Sequence, residues 1–176
     1  MFHFDPLAYG TTVASWLVRS APNELGPGHP HLAARDYLER LTDAELFAGQ
    51  KIRDADMASC CRAALWLLHD FLDESHQVSQ QVASTSGSYW HAIMHRREPD
   101  PGNSKYWWRR VGTHPVLARL AEEAPAVGYE FRDPFQFVDF AERVRGSRTD
   151  AEELAKRVQL LEWQLLFDHC YGHSVS

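Results

Sequence analysis

Side chains able to do chemistry crowd into one stretch of this sequence, His69 to Arg110. It reads H-D-F-L-D-E-S-H, then a Ser/Thr/Gly segment, then Y-W-H-A-I-M-H-R-R-E, then K-Y-W-W-R-R. On a helix, where each residue turns by roughly 100°, His69, Asp73 and His76 (i, i+4, i+7) fall within about 60° of one another. His91, His95 and Glu98 repeat that spacing. Imidazoles and carboxylates on facing stripes can hold a divalent metal such as zinc, iron or manganese. Without a metal, a carboxylate-oriented imidazole can act as a general acid or base. The competing reading is a solvated or internally bonded helix face, because pairs such as His69–Asp73 are common on helix surfaces.

A hairpin narrows the set. If two antiparallel helices meet through a turn centred between Thr85 and Ser86, residues at equal height have numbers summing to about 171, and each unit of error moves the pairing by about 1.5 Å. His76 then faces His95 and Asp73 faces Glu98, with His69 and His91 further along the same stripes. Asp73, His76, His95 and Glu98 are therefore the expected metal ligands, and His76 and His95 the expected catalytic pair. Di-metal bundles use a Glu-x-x-His motif from each of two helices. Here Asp73-x-x-His76 keeps that order and His95-x-x-Glu98 reverses it, so the analogy is loose.

Arg96, Arg97, Arg109 and Trp107 are the expected substrate-binding residues, since guanidinium forks match carboxylate and phosphate oxygens. The alternative for the arginines is an ion-pair network with Glu98, Asp70, Asp73 and Glu74. Tyr89, Trp90, Tyr106, Trp107 and Trp108 flank them. Aromatics interleaved with basic residues can stack nucleobases, but more often such rings anchor a core. The formal net charge of −6 disfavours a nucleic-acid partner. Charge is unevenly spread, however: residues 89–110 hold five basic side chains against two acidic ones, net +3, which leaves −9 for the rest. A local cationic patch on an acidic chain suits a small anionic ligand.

Other chemistries find little support. Cys60 and Cys61 adjoin in an expected helix and Cys170 lies far away, with no CxxC, so neither a disulfide framework nor a zinc finger is indicated. His169-x-x-x-His173 has ligand spacing but contains Gly172 and lies near the chain's end. There is no glycine-rich phosphate loop, G-x-S-x-G or H-E-x-x-H. The first ten residues lack a basic n-region and no uncharged apolar run nears 18 residues, so neither a signal peptide nor a membrane span is expected. Reduced thiols and these absences lead to a cytoplasmic expectation.

The elements that must position these residues read as helices. With 176 residues, 44% hydrophobic and 24% charged, the chain suits one globular domain, 1–176. Asp5-Pro6 opens a helix expected to reach Arg19, followed by a Pro/Gly loop over 21–30 and a helix over 31–40. Thr42-x-x-Glu45 is a capping box. From Lys51 to Val82 there is no proline or glycine, and Cys61, Ala64, Leu65, Leu68 and Leu72 keep helical spacing, which predicts one long helix. Its second half turns polar at Ser75, His76 and Ser79. Residues 85–88 are expected as a turn, with helices over 89–97, 104–110, 115–124 and 134–146 and a last one capped by Thr149. Strand-like alternation is absent. The expected fold is all-α, a single-domain bundle of about four main helices plus short accessory ones.

The wording Y-W-H-x-x-x-H-R-R-E-x-D-x-x-N-x-K-Y-W-x-R-R-V-G, with the upstream H-D-x-L-D-x-S-H, resembles a family of uncharacterised proteins over roughly residues 65–116. The resemblance implies that Asp73, His76, His91, His95, Arg96 and Glu98 form one unit, and it carries no activity. The functional expectation is a metal-dependent hydrolase, or a binding protein, for a small anionic molecule. The alternative is a non-catalytic interaction module using the aromatic-basic surface at 106–110.

Overall fold

The computed structural model describes residues 2–175. Among them lie ten α-helices and two 3₁₀ turns, with no strand. The chain opens with a 3₁₀ turn at Pro6–Tyr9 and a single helical turn, α1 (Thr11–Ala14). Asp5 caps the first turn, but Gly10 at φ 107° ends it, so the helix expected through Arg19 does not form. After the 21–30 loop come α2 (Leu32–Arg40) and α3 (Asp43–Leu46). The Thr42–Glu45 capping box is present with both of its reciprocal bonds.

The long helix expected over 51–82 is two helices, α4 (Ala55–Leu68) and α5 (Leu72–Ser79). His69 caps α4, and Asp70 adopts a left-handed φ of 64° that turns the chain. Aspartate tolerates that region better than most residues. Its carboxylate, 5% exposed, also repays the turn by gathering partners: Arg97, Arg19 at 3.1 Å and Asn23 at 2.7 Å. The helical period runs unbroken through this point, so apolar spacing could not reveal the break. The tertiary partners of Asp70 decide it.

Ser84 caps α6 (Thr85–Arg97) by accepting from the Gly87 amide at 3.2 Å. The segment expected as turn is therefore the first helical turn, and the α5–α6 connection is only residues 80–84. Gly87 allows this close return, since a β-carbon there would stand 2.4 Å from the Val82 carbonyl oxygen. Then follow α7 (Pro101–Val111), α8 (Pro115–Glu123), a 3₁₀ turn at Ala124–Val127, α9 (Pro134–Val144) and α10 (Asp150–Val175). α7, α8 and α9 each begin with proline behind a capping Asp100, His114 or Asp133, which suits proline's fixed φ and the free first-turn amide. For α7 this brings residues 101–103 into the helix, ahead of the start expected at 104.

α10, 26 residues long, runs through the middle and packs on α4, α8 and α9. The core beneath includes Leu65, Leu67, Trp90, Phe137, Leu165 and Phe167. α6 is buried on every side from Ser86 to Arg97 and packs against α4, α5, α7 and α9. Its low amphipathicity follows from that central place, because a helix covered all round has no solvent face to pattern. The architecture is a single all-helical domain, with more helices than the four main ones expected. No helix among the described residues is long and apolar enough to cross a membrane.

Candidate metal centre

α5 and α6 pack antiparallel, and His76 on α5 meets two histidines of α6. Its ring centroid lies 4.6 Å from that of His91 and 5.2 Å from that of His95, and the two α6 rings are 4.8 Å apart. One ligand nitrogen from each ring lies within 4.8 Å of the other two. His91 and His95 are one helical turn apart, so both imidazoles leave the same face of α6. They are 2% and 5% exposed, whereas His76 is half-buried at the rim of the cluster.

Outer partners orient the rings. His95 Nδ1 lies 2.8 Å from Glu98 Oε2, and since a carboxylate only accepts, Nδ1 carries the proton and Nε2 keeps a free lone pair. The Ser79 hydroxyl donates to the His76 carbonyl at 3.4 Å and faces His91 Nδ1 at 3.5 Å. Metal-bound histidines are usually held in this way, by a carboxylate, hydroxyl or carbonyl behind the ring. Burial pushes the His91 pKa down to about 3, reinforced by His95 and His76 as like charges. Burial lowers that of His95 too, opposed by Glu98. Both rings are thus neutral, the form that can ligate a metal.

The expected inner set changes in two places. Asp73 is exposed and lines a surface groove of about 290 Å³ with Arg35, Asp70 and Glu74, outside the histidine group. On α5 the buried stripe is Leu72, Ser75 and Ser79. His76 stands at its edge, while Asp73 and Gln77 face solvent. Glu98 sits behind His95 rather than among the converging nitrogens. His91, expected as an outlier, stands in the cluster; the His91-x-x-x-His95 spacing was the signal for it.

The arginines follow a different logic. Arg96 is 1% exposed, bonds Glu162 on α10 at 2.6 Å and lies over the Phe137 ring. Arg97, equally buried, donates to the carbonyls of Leu67, Gly26 and Pro27 and to Asp70. Arg97 is fully occupied inside the protein, while Arg96 spends Nη2 on Glu162 and keeps Nε and Nη1 buried without a hydrogen-bond partner among the described residues; together the two tie α6 to α10 and to the 21–30 loop. They do not serve the expected anion clamp, because burial requires a charge to be paired internally. Arg109 is exposed over Phe135 on the side facing α9. Trp107 is half-buried and stacks on His91, with centroids 3.9 Å apart.

Two further histidine groups lack the same freedom. His69 Nε2 donates to the Trp16 carbonyl at 2.9 Å while its Nδ1 faces His31 Nδ1 at 3.1 Å, so both nitrogens are engaged. His114 Nδ1 accepts from the Val116 amide, which leaves Nε2–H to donate to Ser86 Oγ at 3.0 Å. That tautomer is the reverse of what would activate Ser86 as a nucleophile. Both histidines are structural.

Against protein-family models, curated proteins and solved structures, the chain finds no match.

Proposed function

We propose that the protein is a metal-dependent hydrolase acting on a small anionic molecule, with His76, His91 and His95 as the metal ligands. The observation that carries this reading is the convergence of three histidine nitrogens within 4.8 Å of one another. Metal–nitrogen distances of about 2.0–2.1 Å put tetrahedral ligands roughly 3.3 Å apart, so the widest pair has to draw in by up to about 1.5 Å. Side-chain rotation on two rigid helices supplies that. An all-imidazole set supports zinc best, with iron next and manganese, which prefers oxygen donors, last.

Three protein ligands leave a fourth position for water, the arrangement that distinguishes catalytic from closed structural zinc sites. A zinc ion held by His76, His91 and His95 would supply Lewis acidity and would lower the pKa of a water beside it toward about 7, the chemistry of hydrolysis. Glu98 acts as the positioning residue that holds His95 in the ligating tautomer, and Ser79 stands beside His91. His76 and His95, expected as the acid–base pair, take the part of ligands.

Metal analysis of untagged protein purified without chelator tests this reading. The expected result is about one equivalent of metal per chain, lost in His91→Ala and His95→Ala variants that keep their helical circular dichroism, together with metal-dependent turnover of p-nitrophenyl esters or phosphates. Absence of metal, with no zinc uptake at micromolar concentration, ends the proposal.

A further inference from the structure

One face of α7 continues outward from the histidine cluster. Trp107 covers His91 with its ring planes at 26°, and so forms a wall of the cluster. One turn further on, the Arg110 guanidinium lies 5.2 Å from the Trp107 centroid and 6.0 Å from that of Tyr106. Tyr106 is 48% exposed and stands at 87° to Trp107, 5.5 Å away. These three side chains make a shelf of two aromatic rings and one cation beside the proposed metal ligands.

Arg110 and Arg109 both lack a carboxylate partner among the described residues, but Arg109 lies over Phe135 on the side facing α9, whereas Arg110 lies over Trp107. The other basic residues nearby are paired: Arg96 with Glu162, Arg97 with Asp70 and Lys105 with Asp139. The Arg110 side chain is exposed. A guanidinium resting on aromatic faces keeps its in-plane N–H fork free for a carboxylate or phosphate. The His91–Trp107 and Trp107–Arg110 separations, laid end to end, put the guanidinium within about 9 Å of the His91 ring. A small molecule spans that distance.

We propose that Arg110, Trp107 and Tyr106 form the recognition shelf for the substrate. The anionic group lies on Arg110, a flat apolar part lies against the aromatic rings, and the reacting group reaches the three histidines. The substrate class is therefore a small aromatic or otherwise planar carboxylate or phosphate. This rests on the metal-hydrolase reading for its reacting end. A small molecule fits better than an acidic protein, because the shelf spans a single turn of one helix and a stable protein interface needs roughly 800 Å² from each partner.

Calorimetric titration of zinc-loaded protein with benzoate and phenyl phosphate, beside acetate and benzyl alcohol, tests the shelf. Benzoate or phenyl phosphate should bind, whichever is tighter naming the anion, and should bind more tightly than either acetate or benzyl alcohol. Arg110→Gln should weaken that binding about ten-fold or more, as loss of a charge-assisted bond does, while zinc content stays unchanged. Trp107→Leu should weaken benzoate and leave acetate unaffected. If neither aromatic anion binds, if Arg110→Gln binds as the parent does, or if an acidic peptide binds in preference, the shelf is overturned. If zinc is not taken up, the metal reading falls separately, and the same titration of metal-free protein still reads the shelf through Arg110.

Discussion

At the scale of single residues, the decisive groups are those behind the histidines. Glu98 is not placed to ligate, yet its 2.8 Å bond to His95 Nδ1 decides which nitrogen of that ring is bare. Replacing it with Gln keeps the shape and a hydrogen bond but removes the charge, and the amide can present either oxygen or nitrogen to the ring. Outer partners of metal-bound histidines typically contribute 10- to 100-fold in affinity. We therefore expect Glu98→Gln to weaken zinc binding by roughly 10-fold or more, measured by competition with a chromogenic chelator, with thermal stability of the metal-free protein nearly unchanged. An unaltered zinc affinity would remove Glu98 from the site. Part of this set is legible from spacing: the i, i+4 pair His91–His95 and the i, i+3 pair His95–Glu98 follow from helix geometry. The facing of His76 by His95 rests on a turn at 85–86, whereas the chain turns over 80–84 and His76 lies nearer His91 than His95. Asp73 shares the stripe by spacing yet lies outside the cluster, because spacing gives only relative angles on a helix. It does not say which edge of the stripe the neighbouring helix covers.

At the scale of elements, α6 is the member that must not move, since it carries two of the three histidines. It is tied to α10 by Arg96–Glu162, with side chains 1% and 0% exposed, and to the α4–α5 break by Arg97–Asp70. Removing one partner of a buried pair leaves a desolvated charge and costs about 3–5 kcal/mol, whereas replacing both with apolar residues can be nearly neutral. Arg96→Met should therefore destabilise strongly in urea unfolding. The double variant Arg96→Met with Glu162→Leu should recover most of that loss. A double variant as unstable as the single would show that the pair contributes more than mutual neutralisation. An ion-pair network is the alternative role the sequence allows for these arginines, with Asp70 among its carboxylates. Glu162, 66 residues from Arg96, was beyond any local pattern.

For the whole molecule, neutral buried histidines couple stability to pH. Burial lowers the pKa of His69 and of His114 to about 4 from an ordinary 6.5, so the folded state resists their protonation and the unfolded chain does not. Unfolding then takes up protons, and the stability these groups contribute is complete above about pH 6.5 and is lost as pH falls toward 4. Thermal melts of the metal-free protein should give a midpoint that declines between pH 6.5 and 5, above the range where most carboxylates titrate. For a chain of this size each kcal/mol corresponds to about 2–4 °C. A midpoint constant down to pH 5 would contradict neutral burial of these rings. Local chemistry in the sequence was enough to specify an all-helical chain, the caps at Asp5, Thr42 and Asp133, and a histidine-rich hairpin, because caps, prolines and i, i+4 spacings act within a turn or two. Three features lay beyond it: the split of α4 from α5 at Asp70, the choice of Glu162 as the partner of Arg96, and the edge of α5 that α6 covers, which leaves Asp73 outside the cluster. The first two depend on partners far along the chain, at Asn23 and at Glu162, and the third on how neighbouring α5 and α6 turn toward each other. Such contacts exist only once the helices have packed.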